Sequence, residues 1–120
     1  MYYTYQDFNK KDKQLIQSLI EVSVKNEIKN FMVKMLPDHQ EMVEKEHEDI
    51  RKPYWEFFDS FKDFTKHLNR RYDGYSHSDL PRILTCSRVE GNLTDVHFAD
   101  FSEDGKAKFE ELLVIEQGRK

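Results

Sequence analysis

The stretch Arg82-Ile83-Leu84-Thr85-Cys86-Ser87-Arg88-Val89-Glu90-Gly91-Asn92-Leu93-Thr94-Asp95-Val96-His97-Phe98-Ala99 carries most of the weight in assigning a fold class. Arg82 to Val89 and Leu93 to Ala99 are rich in β-branched and aromatic residues, and Glu90-Gly91-Asn92 between them can supply a tight turn with φ > 0. Ile83 and Val89 share one face of the first run, and Val96 and Phe98 share one face of the second. The pattern predicts a β-hairpin. A lone hairpin is barely stable in water, so it is expected to lie on the rest of the chain. Cys86 sits inside this apolar run and reads as a buried or half-buried thiol.

Downstream, Ser102 with Glu103 and Asp104 behind it opens a last helix, with Phe109, Leu112 and Leu113 turned inward and a stop near Gly118. Upstream, Asp73 to Pro81 is a loop. The texture before it is helical. A first helix starts at Asn9, a candidate N-cap, and ends before Pro37. Its apolar residues do not stay on one line at about 100° per residue. Leu15, Leu19 and Val22 point one way; Val24, Ile28, Phe31 and Met35 point the other. No Pro or Gly forces a break at the crossover, so the two halves are expected to pack against different neighbours.

A second helix opens with a capping box, Asp38 with Glu41, and runs to Lys52. Between Asp38 and Asp49 it carries six acids and one lysine, a solvated acidic face. A third helix follows Pro53. Tyr54, Phe57, Phe58, Phe61, Phe64, Leu68 and Tyr72 fall within an arc of about 120° on a helical wheel, the width of a core-facing stripe. This helix is expected to form the centre of the fold. Trp55 lies roughly 60° beyond the arc, and with Tyr54 beside it is a candidate interface anchor.

The fold class expected is therefore α+β: three N-terminal helices, the first long, with a C-terminal β-hairpin and a final helix packed on them. Residues 1–120 make a single domain, with a helical part over about 9–72, a loop at 73–81 and hairpin plus helix over 82–118.

The chain is 38% hydrophobic, 35% charged and 13% aromatic, which excludes a membrane span, a collagen-like repeat and a disordered chain. One cysteine excludes an internal disulfide. Nineteen basic against twenty-three acidic side chains give a net charge of −4, which offers no electrostatic reason to expect nucleic acid. The N-terminal Met1-Tyr2-Tyr3-Thr4-Tyr5 lacks a charged region followed by an apolar run, so no signal peptide and a cytoplasmic setting are expected.

Catalytic patterns are sparse. Glu44-x-x-His47 has the spacing of a carboxylate–histidine metal pair on one helix face, but a dimetal bundle needs two such motifs plus two further glutamates, and no second Glu-x-x-His is present. No paired cysteines or Gly-rich phosphate loop are present. Lys62, Lys66, Arg70 and Arg71 form a ridge at helical spacing, with Asp59 and Asp63 near enough to salt-bridge it. Arg71-Tyr72-Asp73-Gly74-Tyr75-Ser76-His77, an arginine followed at short range by a histidine, resembles the signature of the HEPN ribonucleases, small helical domains of about this length. That resemblance would make Arg71 (or Arg70) the phosphate-contacting cation and His77 the general acid/base. It covers seven residues, and a helix break at Asp73-Gly74 followed by a β-hairpin departs from the family.

The reading leans away from an enzyme. It expects a small non-catalytic, acidic-surfaced cytoplasmic module of adaptor, inhibitor or immunity type, binding a protein through Tyr54 and Trp55. No cofactor, nucleic acid or membrane is expected, and a homodimer is one form the assembly could take. The alternative is a small hydrolase, HEPN-like through Arg71 and His77 or metal-assisted through Glu44 and His47.

Overall fold

In a computed structural model, described here for residues 3–73 and 77–118, the chain folds into four α-helices: α1 (Lys10–Glu44), α2 (Arg51–Tyr72), α3 (Leu80–Val89) and α4 (Glu103–Gln117). Short 3-10 turns at Tyr5–Asp7, His77–Asp79 and Asp95–Phe98 join or precede them. The described residues contain no strand, so the α+β expectation is wrong and the fold is all-helical. No helix among them is long and apolar enough to cross a membrane.

The expected β-hairpin is instead α3 followed by a turn. Pro81 sits in the first turn of α3, where its missing N–H costs nothing. Leu80, Ile83, Leu84 and Ser87 are buried along one side at helical spacing. Gly91 does adopt a positive φ, 86°, but as the residue that closes a helix. Its N–H donates to the Arg88 carbonyl at 3.1 Å, and the Asn92 N–H donates to the Ser87 carbonyl at 2.9 Å. This pair of bonds is the Schellman arrangement. The second run does not alternate either: Phe98 is buried while Val96 is the most exposed large apolar residue described.

The first two expected helices are one. α1 continues through Pro37 to Glu44, 35 residues in all. A proline inside a helix costs about 3 kcal/mol. Met35 before it is buried and Met42 after it half-buried, both beside Phe57 of α2, and this packing on both sides of the proline supports the continuous helix. Asn9 caps α1 as expected, its Oδ1 accepting the Asp12 N–H at 2.8 Å.

The described chain divides into two compact units. The first takes the residues up to Glu27 and those from His77 onward. Its core gathers Ile16 and Leu19 of α1, Leu80 and Leu84 of α3, and Leu112 of α4. Phe109 stands in the middle of an aromatic group, with the rings of Phe8, Phe98 and Phe101 centred 5.0, 5.0 and 4.9 Å from it. Three polar ties fix the helices. Asp12, fully buried, accepts both the N–H and the hydroxyl of Ser102, the N-cap of α4. The hydroxyls of Ser23 and Ser87 meet at 2.6 Å with no solvent access. Arg88, its side chain 9% exposed, reaches Asp95 at 2.6 Å and Glu110 at 3.0 Å and lies over the Phe98 ring. Burial works against that guanidinium's charge, but the two carboxylates outweigh it and its pKa is raised.

The second unit runs from Ile28 to Asp73 and pairs the rest of α1 with α2. Phe31 stacks flat on Phe64 at 3.9 Å and meets Phe61 edge-on, while further along α1 His39 lies 5.3 Å from Phe57, earlier in α2. The two helices are therefore antiparallel. α1 does contribute to both units, but not through the two groups expected: Ile16, Leu19 and Ser23 are buried in the first unit and Phe31 and Met35 face α2, whereas Leu15 and Val22 are only half-buried and Ile28 is exposed. The expectation that α2 forms the centre of the fold fails, because no residue of α2 is fully buried.

Candidate functional site

Two antiparallel helices have two flanks, and in the 28–72 unit they differ in kind. At about 100° per residue, Met32, Leu36 and Val43 lie about 60–100° to one side of Met35, the α1 residue most buried against α2. Phe61, Tyr54 and Phe58 lie about 40–100° from Phe57 in the same rotational sense. In antiparallel neighbours that sense brings both sets to the same flank. All six side chains are exposed. Trp55 continues the surface at its edge, 56% exposed, its ring edge-on to Tyr54 at 5.2 Å and to Phe58 at 5.6 Å.

Roughly half of each of the four aromatics, at about 150–250 Å² per ring, with the α1 aliphatics added, gives an apolar flank on the order of 700 Å². The largest apolar patch of an ordinary monomer is about 300–600 Å². One partner's share of a standard protein interface is about 800 Å².

The opposite flank is polar. It holds a cleft of about 410 Å³ floored by Met35, Met42 and Phe57 and edged by Asp38, Glu56 and Lys45. The charges that the two helices themselves set along the apolar flank are basic, and a neighbouring carboxylate offsets one of them. Within about 140° of the helix contact line on that side, the charged side chains of α1 and α2 in the unit are Lys29, Arg51 and Lys62. Arg51 is held by Asp49, with its Nε 2.9 Å and Nη2 3.0 Å from the carboxylate. The Arg51 side chain, with its backbone N–H, holds the Asp49 carboxyl below the usual carboxylate range. Lys29 and Lys62 are exposed and make no ion pair among the described residues. The salt-bridged ridge expected on α2 is not formed at Lys62 and Lys66, neither of which pairs with Asp59 or Asp63.

Comparisons with protein-family models, with curated proteins and with solved structures find no match.

The expected interface pair, Tyr54 and Trp55, is thus on the surface and part of something larger. Phe58 and Phe61, assigned to the core from their place in the stripe, are also exposed, and the α1 half of the flank was missed. The signal for it was present: Met32 and Leu36 at i, i+4 lie off the line of Phe31 and Met35, so α1 carries more apolar width here than one neighbour can cover.

Glu44 and His47 do not share a helix face, because α1 ends at Glu44. Glu44 accepts from Gln40 at 3.3 Å, and a ring nitrogen of His47 lies 2.9 Å from the Met42 carbonyl. Neither belongs to a group of three or more metal-ligating side chains among the described residues. Arg71 is half-buried in the last turn of α2. His77 opens a 3-10 turn in the other unit, and its side chain lies outside the described residues, as do Gly74, Tyr75 and Ser76 between them. The β-hairpin that separated this stretch from the HEPN pattern is absent, and α3 follows instead. Cys86 is half-buried, with its Sγ 3.7 Å from a Glu116 carboxylate oxygen.

Proposed function

We propose that this protein is a non-catalytic protein-binding module that docks its partner on the apolar flank of the 28–72 unit. The observation that carries the reading is the exposure of large apolar side chains of both helices on that flank. Met32 and Leu36 on α1, Tyr54 and Phe58 on α2, and Trp55 at the edge are each about half exposed, which together leaves apolar area of the size of a binding patch uncovered. Aromatic anchors of this kind dominate the energetics of protein interfaces.

A photo-crosslinking residue placed at Leu36 tests the reading in extract of the native cells. A single saturable crosslinked species is expected, lost when Phe58→Asp is introduced into the same chain. A crosslink pattern that Phe58→Asp leaves intact, or that matches a crosslinker placed on the polar flank at Glu41, would overturn it.

A further inference from the structure

Resting on the docking reading above, we infer that the segment bound there is an amphipathic helix of another protein whose polar edges carry Asp and Glu. Shape is the first argument. Two side-by-side helices with one apolar flank are two parts of a three-helix layer, and the element whose ridges fit both is a third helix laid along them. From Ile28 to Val43 the strip follows α1 for fifteen steps, about 22 Å at 1.5 Å per residue. A helix of about four turns covers it, with apolar residues at i, i+3, i+4 and i+7.

Charge is the second argument, and it selects the partner. The chain as a whole is acidic, at −4. Yet the charged groups that α1 and α2 set beside this strip are Lys29, Lys62 and Arg51; Asp49 offsets Arg51, and the two lysines are unpaired among the described residues. A helix seated on the strip places its own edge residues beside those lysines, where carboxylates are favoured and ammonium groups are repelled. A second copy of this chain would bring the same cationic border against itself.

The test uses the full chain and two fluorescein-labelled 16-residue peptides with identical Leu/Ala apolar stripes, one edged with Glu and the other with Lys, read by anisotropy. The Glu-edged peptide is expected to bind saturably and about tenfold or more tighter than the Lys-edged one, and to weaken as NaCl rises. Lys29→Glu with Lys62→Glu should invert the order of the two peptides. Phe58→Asp should abolish binding of both, with Trp55→Ser as the milder variant and circular dichroism confirming that each remains helical. Equal binding of the two peptides would overturn the acidic-edge inference and leave the docking reading standing. Phe58-dependent dimerisation in sedimentation without peptide binding would assign the strip to a second copy. Phe58-dependent binding to phosphatidylserine vesicles alone would assign it to a membrane surface. If no peptide, vesicle or self-association responds to Phe58→Asp, both this inference and the docking reading fall.

Discussion

Asp12, in the first turn of α1, holds the N-cap residue of a helix ninety residues away: its Oδ1 accepts the Ser102 N–H at 3.0 Å, and its other oxygen accepts the Ser102 hydroxyl. The carboxylate stands at the N-terminus of α4, where the helix dipole favours negative charge. Gly105, one turn in, leaves room for it. A Cβ at Gly105 would fall 2.4 Å from Oδ2 of Asp12. Gly→Ala inside a helix normally gains up to about 1 kcal/mol. Here the clash involves a side chain held at both oxygens, and overpacking costs about 1–3 kcal/mol. Gly105→Ala is therefore expected to lower stability in urea unfolding, and Gly105→Ala with Asp12→Ala to lose less than the two single changes added together.

Ser23 and Ser87 form the second long-range tie. Removing either hydroxyl breaks this contact in a site with no solvent, at about 1 kcal/mol or somewhat more. Removing both leaves two small apolar groups in contact. Ser23→Ala and Ser87→Ala should each destabilise by about that amount, and the double variant by less than their sum. A double-mutant cycle from denaturant melts measures the difference. An additive cycle would mean that the 2.6 Å contact contributes nothing.

The 28–72 unit separates aromatic side chains that hold the structure from those that do not. Phe31 and Phe64 stack between α1 and α2, and truncating either to Ala is expected to cost on the order of 2–4 kcal/mol. Trp55→Ser, at a side chain more than half exposed, should shift stability by no more than about 0.5 kcal/mol. It should also reduce binding of a hydrophobic dye such as ANS. Thermal melts with dye fluorescence read both effects, and a Trp55→Ser loss as large as that of Phe64→Ala would show that Trp55 belongs to the core.

Asp49 should titrate below an ordinary aspartate, because Arg51 binds its ionised form. A folded pKa below the unfolded one means that the contribution is complete above the unfolded value. It is lost as pH falls through the folded one. Both groups are exposed, so the effect belongs to the start of α2 and not to global stability. A carboxyl NMR titration should give a low midpoint for Asp49 that returns to the ordinary range in Arg51→Ala.

Parts of this fold are legible in the residues. Ser102 with two acids behind it announces α4, Asn9 announces α1, and the rotation of the α1 stripe announces two neighbours. The Arg82–Ala99 stretch misleads for a definite reason. Gly91 with φ > 0 serves a β-turn and a helix C-terminus equally well, and β-branched Ile83, Thr85 and Val89 favour strands only while packing does not decide. Leu80, Ile83, Leu84 and Ser87 at helical spacing, with Pro81 in the first turn, carried the opposing signal. Pro37 misleads because the cost of a proline is local, whereas the packing of Met35 and Met42 that offsets it depends on α2. For the site, Tyr54 and Trp55 could be singled out, but Phe58 and Phe61 could not. A helical wheel shows which side chains are apolar together and says nothing about how much of the stripe the neighbouring helix covers.

That α2 contains no fully buried residue has a consequence for how the molecule breathes. Its amide groups are expected to exchange with solvent through local opening, at a free energy below that of the global unfolding that governs α3 and the buried face of α4. Anything that binds the closed form of α2 and not the open one raises that opening energy by mass action. On the docking reading, the lifetime of α2 amide protons is then a gauge of how much partner is present.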